Sequence, residues 1–373
     1  MPATPIVLIA DEAYVLGLAA ALRSIEQHTQ PLPRIYVIDA GIAADSRLKL
    51  QQVVDIQWIH VSNIEQAELQ RQGLLPAPGQ SCDGHVSAAC WLKLTLRQLL
   101  PSSVSRALYF DCDMLARTSL LPILQLNLGG RLLAAVRDVG HPCGYDGLLE
   151  AGWERGRPYF NAGLLLLDLQ KWRQAGGRIA CILRQHGSRL QYHDQDVFNL
   201  LAAPTSQPAP HDRSAPPAPS ASEQMTWLQL PLEWNAQGVG TYARRRLQAE
   251  GHRPALFGSV EELRRYEEHP FVVHFTGPSS VAPSAFLNPW VPFNSKPWAY
   301  LCQHPFRSAF FETLDSTPWR GWRPPQHQVA EACAEEVSRF LALVAEQEPG
   351  FDAQLCLQQT MQLLQMPGGT HRC

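Results

Sequence analysis

A chain of 373 residues with 45% hydrophobic content can build one large domain, or a domain with an appendage, around a sizeable core. Its formal net charge of −3 lacks the basic excess a nucleic-acid surface needs, which points away from nucleic acid as a partner. No apolar run reaches the roughly 20 residues that span a bilayer, and no basic segment followed by an apolar stretch opens the chain as a signal peptide would.

The chain begins with the apolar run Ile6–Ile9, which reads as a buried first strand ending at Ala10, Asp11 and Glu12. Val15, Leu18, Ala19, Leu22 and Ile25 follow at helical spacing. A strand is predicted over Arg34–Asp39, a helix near 44–54 and a strand over Ile56–Val61. This alternation is the pattern of a doubly wound α/β domain, whose parallel strands are buried on both faces. A helix near 87–99 leads to a strand over Arg106–Phe110, which stops abruptly at Asp111-Cys112-Asp113. Leu132–Val136 stops likewise at Arg137-Asp138. Tyr159–Leu169 reads as a longer strand, with a helix beginning at Gln170–Arg173. Carboxylates thus recur just beyond strand ends, where open α/β sheets bind ligands.

Residues 203–226 break the pattern with six prolines between Pro204 and Pro219, and they read as a surface insertion without the apolar content to order itself. Apolar residues at helical spacing from Val329 to Met361 predict a C-terminal helical region, 321–373, beyond a main domain of residues 1–320. The nine cysteines are scattered without a CxxC pair and read as reduced thiols, as expected of a cytoplasmic protein.

Several of these residues carry chemistry. Asp111 and Asp113, two residues apart on a loop leaving a strand, can reach one hard divalent cation, although a lone D-x-D also occurs in exposed turns. His274 ends the apolar run Phe271–Val273 and could complete such a site, since manganese accepts mixed oxygen and imidazole ligands; alone it would read as a core-edge histidine. Asp194-Gln195-Asp196 suits paired sugar hydroxyls, or simply caps a helix. Asn161-Ala162-Gly163 interrupts a strand, as a ligand space or a bulge would. Gly277 would let backbone approach a phosphate, and Lys93 and Lys296 are candidate diphosphate clamps.

In this order, the segments YFDCDMLA (109–116), YFNAGLLLLDLQKW (159–172), DQDVFN (194–199), LPLEWNAQ (230–237) and VVHFTGP (272–278), with KPW (296–298) and TPW (317–319), resemble glycosyltransferase family 8. The nearest likeness is to the bacterial lipopolysaccharide galactosyl- and glucosyltransferases, and it runs from about Ile6 to Trp319. The resemblance implies a GT-A type, Rossmann-like mixed sheet flanked by helices. It also implies that Ala10, Asp11 and Tyr14 hold the uracil, Asp11 at the base edge and Tyr14 stacking. An asparagine common in the family at this point is Ala13 here. Asp111, Asp113 and His274 become the metal ligands, with the Cys112 backbone against the ribose. Lys93 stands where the family has arginine, after His85-Val86-Ser87. Asp138, Asn161, Ala162, Asp194 and Gln195 map to the sugar pocket, and Gly277 and Lys296 to the diphosphate clamp. The stretch between HFTGP and KPW is longer than is usual in the family, and Asn288-Pro289-Trp290 is a competing alignment that lacks the lysine.

The implied activity is retaining transfer of galactose or glucose from a UDP-sugar to a saccharide or glycolipid acceptor, with Mn2+, or Mg2+ as the alternative ion. Gln195, Asp196 and Asp138 are the expected catalytic groups. The expected location is the cytoplasm, with the inner face of the membrane as a peripheral contact. The competing expectation is a UDP-sugar-binding protein without useful catalysis, to which the Lys93 and Ala13 departures would belong. A nucleotidyltransferase or hydrolase would want more basic residues or a phosphate-cradling glycine loop, which the chain lacks.

Overall fold

The computed structural model describes residues 4–73, 75, 88–203, 226–239, 259–276, 296–298 and 304–324. The expected insertion, apart from residues 203 and 226, lies outside the described residues. So do Gly277, His85-Val86-Ser87, Asn288-Pro289-Trp290 and the C-terminal region beyond residue 324.

The strands are β1 (Ile6–Ala10), β2 (Ile35–Asp39), β3 (Gln57–His60), β4 (Arg106–Phe110), β5 (Met114–Ala116), β6 (Leu133–Arg137), β7 (Phe160–Asp168), β8 (Trp227–Leu230), β9 (Ala236–Gln237) and β10 (Val272–His274). Seven form one sheet in the order β3-β2-β1-β4-β7-β6-β8, and β5, β10 and β9 form a second, small one. Strands β3, β2, β1 and β4 are mutually parallel, as the strand–helix alternation implied. The parallel pattern ends at β7, which runs antiparallel to both β4 and β6. The sheet is therefore mixed, and its helices cover both faces: Ile6 and Leu8 enter one core cluster, Val7 and Ile9 the other.

The chain order reverses at β1, which pairs with β2 on one side and β4 on the other. Ligands collect at such a switch point, beyond the carboxyl ends of the strands. Asp11 follows β1 and Asp111 follows β4, so the two expected halves of the site open from neighbouring strands.

Two local features shape this end of the sheet. The helix Val15–His28 packs beneath it, and Gly17 lets that helix meet the Cys112 carbonyl and the Trp298 ring; a β-carbon there would lie 2.6 Å from both. In β7 the register with β6 jumps from Ala135↔Leu165 to Val136↔Asn161. This bulge falls on the Asn161-Ala162-Gly163 segment and releases its backbone groups toward the site.

Candidate active site

Asp111 and Asp113 leave β4, and His274 closes the facing strand β10, whose backbone pairs with Met114 of β5. The small sheet thus carries the imidazole to the two carboxylates. His274 Nε2 lies 3.3 Å from Asp113 Oδ1 and 3.9 Å from Asp111 Oδ2. One ligand atom from each of the three lies within 4.8 Å of the others. Two hard oxygens and one imidazole make a donor set that fits a first-row divalent cation such as manganese.

Each carboxylate also holds a cation. Asp111 Oδ1 accepts from the Tyr109 hydroxyl at 2.5 Å and pairs with Lys93 Nζ at 3.0 Å. Asp113 Oδ2 takes the Lys296 ammonium, which also donates to the Phe275 carbonyl at 2.7 Å. Burial would raise both carboxyls. At Asp113 it is outweighed by Lys296 and His274, which hold the group well below the usual carboxylate range. At Asp111 burial, reinforced by the Asp113 charge, prevails over Lys93 and keeps it raised. Lys296 thus reaches the Asp113 carboxylate despite the long interval after HFTGP. Its neighbour Trp298 stands edge-on to Tyr14, ring centroids 5.7 Å apart.

Lys93 is buried and bridges two parts of the site. Its Nζ is 3.0 Å from Asp111 and 3.1 Å from Asp194 Oδ2. Burial alone would lower its pKa, but the two carboxylates hold it well above the ordinary lysine value. Asp194 Oδ1 receives the Cys90 thiol at 2.6 Å, and burial keeps that thiol protonated. Cys112 turns its thiol onto the Ile9 carbonyl at 3.0 Å.

The expected sugar-pocket residues converge. Gln195 Nε2 donates to Asp138 Oδ2 at 3.1 Å, and Gln195 Oε1 accepts from the Ala162 amide at 3.0 Å. Asn161 Nδ2 donates to the same Asp138 oxygen at 3.3 Å, and Asp138 Oδ1 accepts from the His141 amide at 2.7 Å. The helix carrying Asp194 and Gln195 opens at His193, whose φ of 49° is left-handed, an uncommon conformation for a non-glycine residue.

Two expectations change. Asp196 is fully enclosed at 0% exposure: Oδ1 accepts from Tyr159, and Oδ2 from Tyr145 and the Tyr192 amide. With both oxygens engaged it anchors the loops behind the pocket and has no face for a substrate, so it is a positioning residue rather than a catalytic one. The small residue Gly163 leaves room for a protein side chain and not for a ligand, since a β-carbon there would meet the His274 ring.

Where the nucleotide is expected, Ala10 closes β1 with its carbonyl taken by the Ala40 amide. Asp11 Oδ1 is buried without a hydrogen-bond partner among the described residues, an acceptor free for an N–H at a base edge. Tyr14 is, with Leu48, one of the exposed large hydrophobic side chains among the described residues. Sequence reading missed Asn235, which lies inside LPLEWNAQ and bonds His274 Nδ1 at 2.9 Å. It also missed Tyr109, whose hydroxyl orients Asp111.

Several known proteins are similar to this chain. General stress protein A of Bacillus subtilis is 24% identical over 329 residues, spanning 84% of this chain and 94% of that protein. A lipopolysaccharide 1,2-glucosyltransferase of Escherichia coli is 27% identical over 195 residues, spanning 51% of this chain and 56% of that one. The galactosyltransferase LgtC, solved with donor and acceptor sugar analogs, superposes with a TM-score of 0.60 at 22% identity, covering 85% of this chain and 99% of that chain. It shares the fold, of the GT-A type. Residues 5–280 match the model of the family described as Glycosyl transferase family 8. That span takes in all ten strands of the described residues and the clustered carboxylates, amides and imidazole, so the chain belongs to glycosyl transferase family 8.

Proposed function

We propose that this glycosyltransferase moves galactose or glucose from a UDP-sugar to a saccharide or glycolipid acceptor, lipopolysaccharide or another cell-surface glycan, with retention of anomeric configuration. The observation that carries the reading is the convergence of Asp111, Asp113 and His274 beside the cluster of Asp138, Asn161, Asp194 and Gln195. The names of its relatives, a galactosyltransferase and a lipopolysaccharide glucosyltransferase, motivate the choice of hexose and acceptor. Action in the cytoplasm, at the inner face of the membrane, belongs to the same reading. Among the described residues no helix is long and apolar enough to cross a membrane.

Asp111, Asp113 and His274 would hold the cation, manganese by their donor set with magnesium as the alternative. When bound, the cation neutralises charge on the diphosphate leaving group. Lys296, next to Asp113, adds a second positive charge at the diphosphate, and Asp11 and Tyr14 hold the base. As the bond from the anomeric carbon to the phosphate oxygen breaks, the acceptor oxygen bonds to the same face, and its proton passes to the departing phosphate. Gln195 suits an orienting role: its oxygen accepts from Ala162 N–H and its nitrogen is on Asp138. An amide so held is a poor nucleophile. Lys93 keeps the link between Asp111 and Asp194 where the family has arginine, which speaks against a decayed, binding-only protein.

The deciding assay is UDP release from a panel of UDP-sugars, with and without manganese, for wild type and Asp113→Ala. Manganese-dependent turnover of one donor, lost in the variant, is the expected result. Absence of both turnover and UDP binding in the wild type overturns the reading.

A further inference from the structure

Four side chains form a single file across the site. Asp138 Oδ2 accepts from Asn161 Nδ2 at 3.3 Å, Asn161 Oδ1 from Asn235 Nδ2 at 2.9 Å, and Asn235 Oδ1 meets His274 Nδ1 at 2.9 Å. The two ends belong to different tasks, since Asp138 lies in the sugar pocket and His274 on the carboxylate pair. Asn235 is fully buried, and Asn161 and His274 nearly so, so water does not compete for these contacts.

Amide orientations and imidazole tautomers are not visible from ring and fork positions alone, but here the chemistry dictates them. The Asp138 oxygen already takes the Gln195 amide and acts as an acceptor, so Asn161 must turn its NH2 toward it. The Gly163 amide, which can only donate, reaches the other Asn161 terminus at 2.9 Å and identifies that terminus as the carbonyl. Asn235 must then offer NH2 to Asn161, leaving its own carbonyl for the imidazole. A carbonyl only accepts, so His274 Nδ1 must carry a proton. In the neutral ring the lone pair then lies on Nε2, the nitrogen aimed at Asp111 and Asp113.

We infer that Asn235 is a positioning residue which, with Asn161, holds His274 in the Nδ1–H form and so couples the sugar-pocket carboxylate Asp138 to cation affinity. The inference rests on the proposed cation site. A ligating histidine depends on the partner of its other nitrogen for ring orientation and tautomer, and loss of such a partner typically weakens metal binding about 10- to 100-fold. The unusual element is the length of the chain. The tautomer is selected by the Asp138 carboxylate, three side chains away across the bulge in β7, together with the Gly163 amide. A donor at the Asp138 end would oppose the Asn161 NH2 and loosen the hold of the chain on Nδ1, while the Gly163 amide still favours the Asn161 carbonyl.

Two readouts besides turnover test this. In wild-type protein with 15N-labelled histidine, the Nδ1 of His274 should be protonated with and without Mg2+; an unprotonated Nδ1 overturns the inference. Free Mn2+ is then titrated by electron paramagnetic resonance, with no nucleotide present, against wild type, Asn235→Leu and Asp138→Asn. Asn235→Leu should weaken Mn2+ binding about 10- to 100-fold, and Asp138→Asn should weaken it several-fold although it touches no ligand atom. If Asn235→Leu does not fold, Asp138→Asn and the wild-type spectrum still decide. Folded variants that bind Mn2+ within about twofold of wild type overturn the coupling. A wild type that binds no Mn2+ instead overturns the cation site, while the histidine spectrum still reports on the tautomer.

Discussion

Gly163 and His274 lie in such close contact that a β-carbon built on the glycine falls 2.8 Å from the imidazole Nδ1 and closer still to Cε1. The strand bulge, the missing side chain and the ring position are therefore one feature. Gly163→Ala should displace the ring from Asp111 and Asp113 while leaving the seven-stranded sheet intact. Manganese affinity should drop at least tenfold, on the scale of lost support for a metal-bound histidine. Calorimetric titration of Mn2+, with circular dichroism to verify the fold, checks this.

Lys93 is a buried ammonium between Asp111 and Asp194. Its removal leaves two carboxylates facing each other without a counter-charge, a change that costs about 3–5 kcal/mol when the partners are buried. Lys93→Ala should lower stability by that order and abolish transfer. Lys93→Arg restores the residue type common in the family and should keep the bridge. Urea unfolding curves and initial rates for the two variants separate these outcomes.

Replacing Gln195 with alanine removes one donor from Asp138 and one acceptor from Ala162. Turnover should drop about 100- to 1000-fold, in the range seen when one preorganised polar group is lost, while the product keeps the same anomeric configuration. Product configuration read by proton NMR is the check, since a switch to inversion would give Gln195 a nucleophilic role.

Asp196 offers a contrast. Tyr159→Phe deletes one of the two tyrosine hydroxyls bound to it, and leaving that carboxylate oxygen short of a partner should cost about 1–3 kcal/mol. Catalysis should persist below the lowered melting temperature. Rates at a temperature where both forms are folded should differ far less than their stabilities.

His304 supplies a pH dependence. Its ring is enclosed by Phe275 and Phe306, its Nδ1 accepts from the Phe306 amide, and burial pulls its pKa down to about 3. The folded value lies below the unfolded one of about 6.5, so on acidification the unfolded chain binds the proton first. Stability from this residue is intact above about pH 6.5 and falls by about 1.4 kcal/mol per pH unit toward the folded value. The non-titrating His304→Gln should show a flatter loss of stability between about pH 7 and pH 4 in denaturant titrations.

Much of the fold was legible because it rests on local periodicity. The continuous apolar runs of β1, β2 and β4 and the spacing of Val15–His28 are properties of adjacent residues, and the observed elements lie within a residue or two of the expected ones. Strand direction is not such a property. The β7 segment reads as a buried strand whichever way it runs, and only its pairing with β4 and β6 makes the sheet mixed. The three-residue strands β5 and β10 and the two-residue β9 carry too little pattern to be seen singly.

The same division runs through the site. By itself the sequence determined which side chains could carry the chemistry, because the paired carboxylates after β4, the histidine after an apolar run and the Asp-Gln pair each sit at a strand or helix end. Tertiary structure alone decided their relations: Lys296 on Asp113, Lys93 across Asp111 and Asp194, Asp196 sealed behind two tyrosines, and Asn235 on His274. These contacts join residues 18 to 183 positions apart, and a hydrogen bond or ion pair depends on distance in space, which a linear pattern does not encode.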